Sequence, residues 1–305
     1  MQDYYKILTD SFDKNQVFIN EPMSKHTSFK IGGNADVLIS VCSKEEILRA
    51  VKICYESKIP FYVIGNGSNL LVLDSGFRGA IIKIAKGFSS LTLTSDTSIY
   101  CEAGALLSNL ANFALSKSLS GLEFASGIPG TVGGAVYMNA GAYDGEMKDV
   151  VTSVDVLDMT AGGFKEVKLT NEQMNFGYRT SIIEKEPHIV LGAEFALKPG
   201  NPDDIKAKSD DFNASRKEKQ PLDLPSAGST FKRPKGSFAG KLIMESGLRG
   251  YYIGGASISE KHCGFIINNG GATAIDVLKL IDHVQNVVLE KFDVMLKPEI
   301  RIIGE

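Results

Sequence analysis

Ser229 lies in the run SAGSTFKRP, residues 226–234, with Gly228 before it and two cations, Lys232 and Arg233, close behind. A glycine there lets the backbone bend and present the hydroxyl, and the two cations supply positive charge for an anionic group. A turn without chemistry is the alternative reading. The chain has no G-x-S-x-G elbow and only four histidines, His26, His188, His262 and His283, so a hydrolase triad is poorly supported. A serine with no evident base is better suited to giving a proton than to attacking a carbonyl.

Four further runs carry residue types that bind or polarise anions. GNGSN, Gly65–Asn69 (Gly65, Asn66, Gly67, Ser68, Asn69), stands between the strand-like FYVI and LLVLD. It starts like a dinucleotide fingerprint, but Leu70 occupies the third glycine position and no helix follows, which excludes a Rossmann fold. Such a run can curl its N–H groups around a phosphate, or it can be a plain hairpin turn.

In GIPGTVGG (Gly127, Ile128, Pro129, Gly130, Thr131, Gly133, Gly134), the sequence predicts a short helix after Gly130 whose N-terminus faces an anion. Gly133 and Gly134 would admit another backbone or a flat ring; tight structural packing is the alternative. FGYRTS offers Tyr178 and Arg179, and a guanidinium grips a carboxylate or phosphate with two parallel bonds. KPEIRIIG places Glu299 and Arg301 on one face of an extended segment and Ile300 and Ile302 on the other.

The elements that must position these residues follow from the hydrophobic pattern. DVLISV reads as a strand, and Ser43 with Glu46 three residues on reads as a capping box. Ile47, Ala50, Val51 and Cys54 then recur at helical spacing, and FYVIG is a second strand, so residues 36–65 form a strand, helix, strand unit. Strands dominate from 76 to about 200, broken by a helix over Leu106 to Ser116.

A polar helix spans 203–220, and a last long helix opens at Thr273 with Asp276 completing its cap. Its apolar face is predicted to run through Ile275, Leu278, Ile281, Val284 or Gln285, Val288 and Phe292. The fold class is therefore α+β in three domains: 1–75, 76–202 rejoined by 298–305, and 203–297.

Composition limits what these residues can serve. With 305 residues, a net charge of -3 and 43% hydrophobic residues, the chain is ordinary for a globular protein and lacks the basic surface that nucleic acid requires. Cys42, Cys54, Cys101 and Cys263 show neither zinc spacing nor the density of a disulfide scaffold, so reduced thiols and no metal are expected. The opening MQDYYKILTD has no signal-like apolar region and no span of about 18 apolar residues occurs, which points to a cytoplasmic protein without a membrane segment.

Taken in order, from HTSFKIGG at 26–33 to PEIRIIG at 298–304, these motifs resemble the UDP-N-acetylenolpyruvoylglucosamine reductase family of bacterial peptidoglycan synthesis. The resemblance implies two domains that hold non-covalent FAD in a vanillyl-alcohol-oxidase-like manner, and a third that covers the substrate. GNGSN and GIPGTVGG would bind the FAD diphosphate. NADPH would reduce the flavin, and the flavin N5 hydride would then add to the enolpyruvyl double bond of UDP-N-acetylglucosamine enolpyruvate, giving UDP-N-acetylmuramate.

By the same resemblance Ser229 is the proton donor, and Arg179 and Glu299 polarise the substrate carboxylate. Tyr178 flanks the site, and Lys232 and Arg233 face the UDP diphosphate. A carboxyl held near the substrate carboxylate in a dry pocket should have a raised pKa, so a protonated Glu299 and an ionised one are both open readings. The chain has no room for the substrate-covering insertion of the family's longer form and matches the shorter one. A monomer is expected. A flavin oxidase of the same superfamily and a non-catalytic nucleotide-sugar-binding protein are the rival readings.

Overall fold

Ser43 opens the first long helix through its hydroxyl, which accepts the N–H of Glu46 at 3.2 Å. The reciprocal half of the predicted box is shifted by one residue, because Glu46 Oε2 accepts from Cys42 N at 2.7 Å. In this computed structural model residues 3–84 and 86–305 are described, with side chains given for all of these but 3, 4 and 161. Met1 and Gln2 of the opening stretch, and Ala85 within the expected second domain, lie outside the described residues.

The chain divides into two compact units. The first comprises 1–18, 38–66 and 81–216, and the second 19–37, 67–80 and 217–305. The chain passes from one to the other within the strands Val17–Pro22, Asn34–Val41 and Phe77–Ile84. With Phe61–Ile64 these make a four-stranded sheet in the order Val17–Pro22, Asn34–Val41, Phe77–Ile84, Phe61–Ile64.

The first unit also holds a five-stranded antiparallel sheet in the order Lys165–Thr170, Val151–Asp158, His188–Ala196, Ser98–Glu102, Leu91–Ser95. LTLTSDTSIY forms its terminal hairpin, and the helix predicted after Leu106 spans Leu107–Ser116. Burial pushes the thiols of Cys54 and Cys101 up to about 12, so both are inert apolar fillers at neutral pH. Among the described residues no cluster of His, Cys, Asp and Glu is arranged to hold a metal ion, and no helix is long and apolar enough to cross a membrane.

The second unit packs a four-stranded antiparallel sheet, Ser226–Ser229, Phe265–Asn268, Ala256–Ile258, Tyr252–Ile253, into one core with the helices Ala239–Glu245 and Ala274–Phe292. The long helix buries Ile281, Val284 and Val288 of the predicted face and packs Leu278 and Phe292 against the core, but its first turn brings Ala274 inward in place of Ile275. Ala274, Val277, Leu280, Ile281, Val284 and Val288 are buried, whereas Ile275 is 48% exposed. The buried set has the same 3–4 spacing, and its small first member lets the helix start lie close to the sheet.

The chain's last strand, Arg301–Ile303, pairs in parallel with Leu70–Val72 and not with the five-stranded sheet to which the sequence assigned it. The alternation of KPEIRIIG also breaks: Ile300 and Ile303 are buried and Ile302 is 41% exposed, because the regular strand begins only at Arg301.

Thr273 and Asp276 form the predicted capping box at the long helix. The N–H of Thr273, and further bonds from its hydroxyl and from Gly255 N, hold the Asp276 carboxyl below the usual carboxylate range. A depressed folded-state pKa adds stability that is present above the unfolded value, near 3.9, and is lost as pH falls through the folded value. Thr273→Ala is expected to lower stability by about 1 kcal/mol at pH 7. In Asp276→Asn the loss is expected to be present at pH 7 and to shrink as pH falls below the unfolded carboxyl value and through the depressed folded one; urea unfolding over a series of falling pH values checks this.

Candidate active site

In the first unit the two glycine-rich runs meet. A Cβ on Gly65 would lie 2.1 Å from Thr131 Oγ1, so only glycine permits the approach. Asn66 Nδ2 then donates to the carbonyl of Pro129 at 2.8 Å, and Gly130 O accepts from Leu107 N at 3.0 Å. The strands on either side of GNGSN, Phe61–Ile64 and Leu70–Val72, belong to different sheets, so the run is a crossover loop and not a hairpin turn.

Thr131 caps the short helix Val132–Tyr137 by accepting from Gly134 N at 3.4 Å. The two helical glycines have different reasons to be there. A Cβ on Gly133 would stand 2.9 Å from Ala103 Cβ, which is the packing explanation, whereas at Gly134 the nearest atom is Thr131 Oγ1 at 3.5 Å and packing demands nothing. Gly127 and Ile128 are half-buried and Pro129 is exposed.

Arg179 sits at the tip of a tight turn closed by Gly177 N to Thr180 O at 3.0 Å and Thr180 N to Gly177 O at 3.3 Å. Its φ is +55°, a left-handed conformation that costs a side-chain-bearing residue roughly 1–2 kcal/mol. The guanidinium is oriented by two carbonyls, Nη2 donating to Gly141 O at 2.8 Å and Nη1 to Asn139 O at 3.5 Å. Tyr178, 48% exposed, places its ring centroid 5.0 Å from Arg179 Cζ.

Buried Asn139 anchors the turn from below. Its Nδ2 donates to Gly177 O at 2.9 Å and Glu146 Oε2 at 2.7 Å, and its Oδ1 accepts from Lys148 N at 2.9 Å.

In the second unit, Ser226 pairs with Ile267 and Ser229 with Phe265, so Ala227 and Gly228 stand against the single Ile266, which is a β-bulge. Gly228 supplies it with φ +77°. A bulge bends its strand and re-aims the next side chain, here Ser229.

Beyond the bulge the chain runs beside the C-terminal segment. Glu299 N donates to Thr230 O at 2.8 Å, Phe231 bridges Pro298, and Lys232 N donates to Lys297 O at 2.8 Å. Glu299 O accepts from Asn69 Nδ2 at 3.3 Å. Ser229 and Glu299 are thus one residue apart across a paired backbone, together with the last residue of GNGSN. In the same unit a Cβ on Gly67, at φ +64°, would lie 2.1 Å from His26 O, and half-buried Ser68 follows it. The Arg233 guanidinium stacks over Phe238 at 4.0 Å from the ring centroid.

One residue of the first unit escaped the sequence reading. Arg216 lies against Gly127, where a Cβ would stand 3.1 Å from Arg216 Nε. That Nε is buried and has no hydrogen-bond partner among the described residues, while burial lowers the guanidinium's pKa and the Tyr143 hydroxyl partly restores it. A buried N–H beside a glycine loop asks for an acceptor such as a phosphate oxygen. The available signal was the spacing Lys208, Phe212, Arg216 on an otherwise polar helix; Phe212 stacks on Tyr143 at 4.3 Å.

The two glycine loops meet with an unfilled helical glycine on one of them and the buried Arg216 guanidinium beside it, an arrangement able to take an anionic nucleotide cofactor. The FAD binding domain profile matches residues 35–167, and the profile described as UDP-N-acetylenolpyruvoylglucosamine reductase, C-terminal domain, matches residues 220–303. The chain belongs to the UDP-N-acetylenolpyruvoylglucosamine reductase family.

The relative of that name from Caldanaerobacter subterraneus subsp. tengcongensis is 54% identical over 98% of this chain and 97% of its own. The one from Clostridioides difficile is 51% identical over 100% and 99%. The crystal structure of the Thermus caldophilus enzyme superposes with a TM-score of 0.80 at 36% identity, covering 95% of this chain and 98% of that one. The predicted α+β fold with an FAD-binding unit is confirmed by this match.

FAD fits what the first unit presents. The cradle at Gly65, Asn66, Pro129 and Thr131 is closed on the protein side and open at Gly134. Gly65→Ala, which forces Thr131 away, is expected to cut flavin loading by about tenfold or more in a protein that still folds, one decade being about 1.4 kcal/mol of binding. The flavin absorbance per protein after desalting checks it; wild-type loading would remove Gly65 from the cofactor site.

Proposed function

We propose that Ser229, Arg179 and Glu299 carry the chemistry of an FAD-dependent reduction in which the enolpyruvyl ether of UDP-N-acetylglucosamine becomes the lactyl ether of UDP-N-acetylmuramate. The enzyme is an oxidoreductase of peptidoglycan precursor synthesis, with FAD as cofactor and NADPH as reductant. Bound FAD would supply the redox chemistry, a hydride taken from NADPH and made available to the terminal carbon of the double bond. The chain's residues do the rest.

Hydride addition leaves the adjacent substrate carbon as a carbanion conjugated with its carboxylate. Arg179, its plane fixed by Asn139 O and Gly141 O, offers that carboxylate a preorganised cation. Glu299, held through both its N–H and its C=O, polarises the same group, and the Ser229 hydroxyl gives the proton that completes the C–H bond. Tyr178 flanks the carboxylate, and Lys232 and Arg233 meet the diphosphate of UDP. The FAD diphosphate falls to the two glycine runs, with Arg216 as a further donor.

The observation that supports this reading is the bond from Glu299 N to Thr230 O, which brings the segment carrying Glu299 beside the one carrying Ser229 in a family member. Cytoplasmic location, a monomeric state and the three-domain division with 203–297 as the substrate-binding domain belong to the same reading.

An anaerobic absorbance trace tests it. NADPH is expected to bleach the flavin band, and UDP-N-acetylglucosamine enolpyruvate, added next, to restore it. Bleaching without recovery would overturn the substrate; rapid oxygen consumption without NADPH would favour an oxidase. A colourless protein that binds the UDP-sugar would favour a binding module.

A further inference from the structure

We propose that Thr230 is a positioning residue that sets the geometry of Ser229 and Glu299 together; this rests on the roles assigned to that pair above. Thr230 is 2% exposed, so its side chain acts through protein neighbours. All its polar groups are engaged in three directions. Its N–H donates to Gly264 O at 2.8 Å, its C=O accepts from Glu299 N at 2.8 Å, and its Oγ1 accepts from Ile266 N at 3.0 Å.

The third bond is the informative one. A bulge interrupts the ladder between strands, and here the buried Ile266 N–H is met by a side-chain oxygen in place of a strand carbonyl. That oxygen therefore fixes how far Thr230 stands from the strand Phe265–Asn268. Ser229 is covalently attached on one side and Glu299 is hydrogen-bonded on the other, so a displacement of Thr230 moves both against each other. The sequence alone gives no reason to choose Thr230, since a threonine after a serine in a strand is unremarkable by type.

Thr230→Val keeps the shape and removes the acceptor, and Thr230→Ser keeps the acceptor and removes a methyl. In the holoenzyme, Thr230→Val is expected to slow flavin reoxidation by UDP-N-acetylglucosamine enolpyruvate on the order of 10- to 100-fold, as small misplacements of reacting groups do. Reduction by NADPH and the KM for the UDP-sugar are expected to stay near wild type, and Thr230→Ser to restore most of the rate. On a Ser229→Ala background the valine is expected to add little, because the two changes disable one unit.

Proportional loss in both half-reactions, a serine variant as slow as the valine, or a full additional loss on top of Ser229→Ala would each overturn the proposal. If the valine protein fails to fold, Thr230→Cys, with a poor acceptor of similar size, is read by the same criteria. A wild-type flavin that the substrate cannot reoxidise would defeat the functional reading first and this one with it; a normal wild type with an unaffected Thr230→Val defeats this one alone.

Discussion

Ser229→Ala is expected to leave the bleaching of the flavin by NADPH unchanged and to slow its reoxidation by the enolpyruvyl substrate about 100- to 10,000-fold, the usual contribution of a positioned acid. An alcohol is a weak acid in water. Its partner here is a carbanion, a far stronger base, so the transfer runs downhill once the hydroxyl is aimed at the carbon. The aim comes from the bulge: Gly228 at φ +77° turns the strand, and the pairing of Ser229 with Phe265 fixes where the turn ends.

Alanine removes one oxygen and leaves that backbone intact, which is why only the second half-reaction should suffer. Anaerobic stopped-flow on each half-reaction separates the cases. Ser229→Cys, which still has a proton to give, is expected to fall between wild type and alanine. Equal losses in both half-reactions would show that the serine supports the fold and not the chemistry.

What the sequence disclosed and what it withheld divide along physical lines. The caps at Ser43 and Thr273 were legible because a capping hydroxyl and its N–H lie three residues apart, and local spacing is what a sequence displays. The glycine runs were legible as anion-binding candidates for the same reason. Their convergence was not: Asn66 and Pro129 are joined by one hydrogen bond across more than sixty residues, and no local pattern encodes it.

The last strand illustrates the same limit. KPEIRIIG announced an extended segment, but its partner, Leu70–Val72, was fixed by the core of the second unit. On the long helix only the first position was misread: Ile275 outranks Ala274 in hydrophobicity, yet Ala274 is buried and Ile275 is exposed. Arg216 stayed hidden because its significance lies in a buried Nε, and burial is a tertiary property.

Arg179→Gly is expected to be nearly neutral for stability and severe for catalysis. At φ +55° the arginine backbone carries roughly 1–2 kcal/mol of strain that glycine does not. Glycine also loses more backbone freedom on folding, by roughly 0.5–1 kcal/mol, and the substitution gives up the bonds to Asn139 O and Gly141 O. These effects offset one another, so the melting temperature is expected to move by only a few degrees. Catalysis has no such offset, because removing a preorganised donor from developing negative charge costs about 100- to 1,000-fold.

Arg179→Lys is the sharper companion. It keeps the charge and the strain, but an ammonium cannot bond two carbonyls and a carboxylate in one plane, so reoxidation is expected to stay slow. If the glycine variant melts far below wild type, the guanidinium serves mainly to pin the turn to Gly141; if the lysine variant reoxidises normally, charge alone suffices and the oriented fork has no role. Retained melting with slow reoxidation in both would mean that the strained turn exists to hold this side chain toward the substrate.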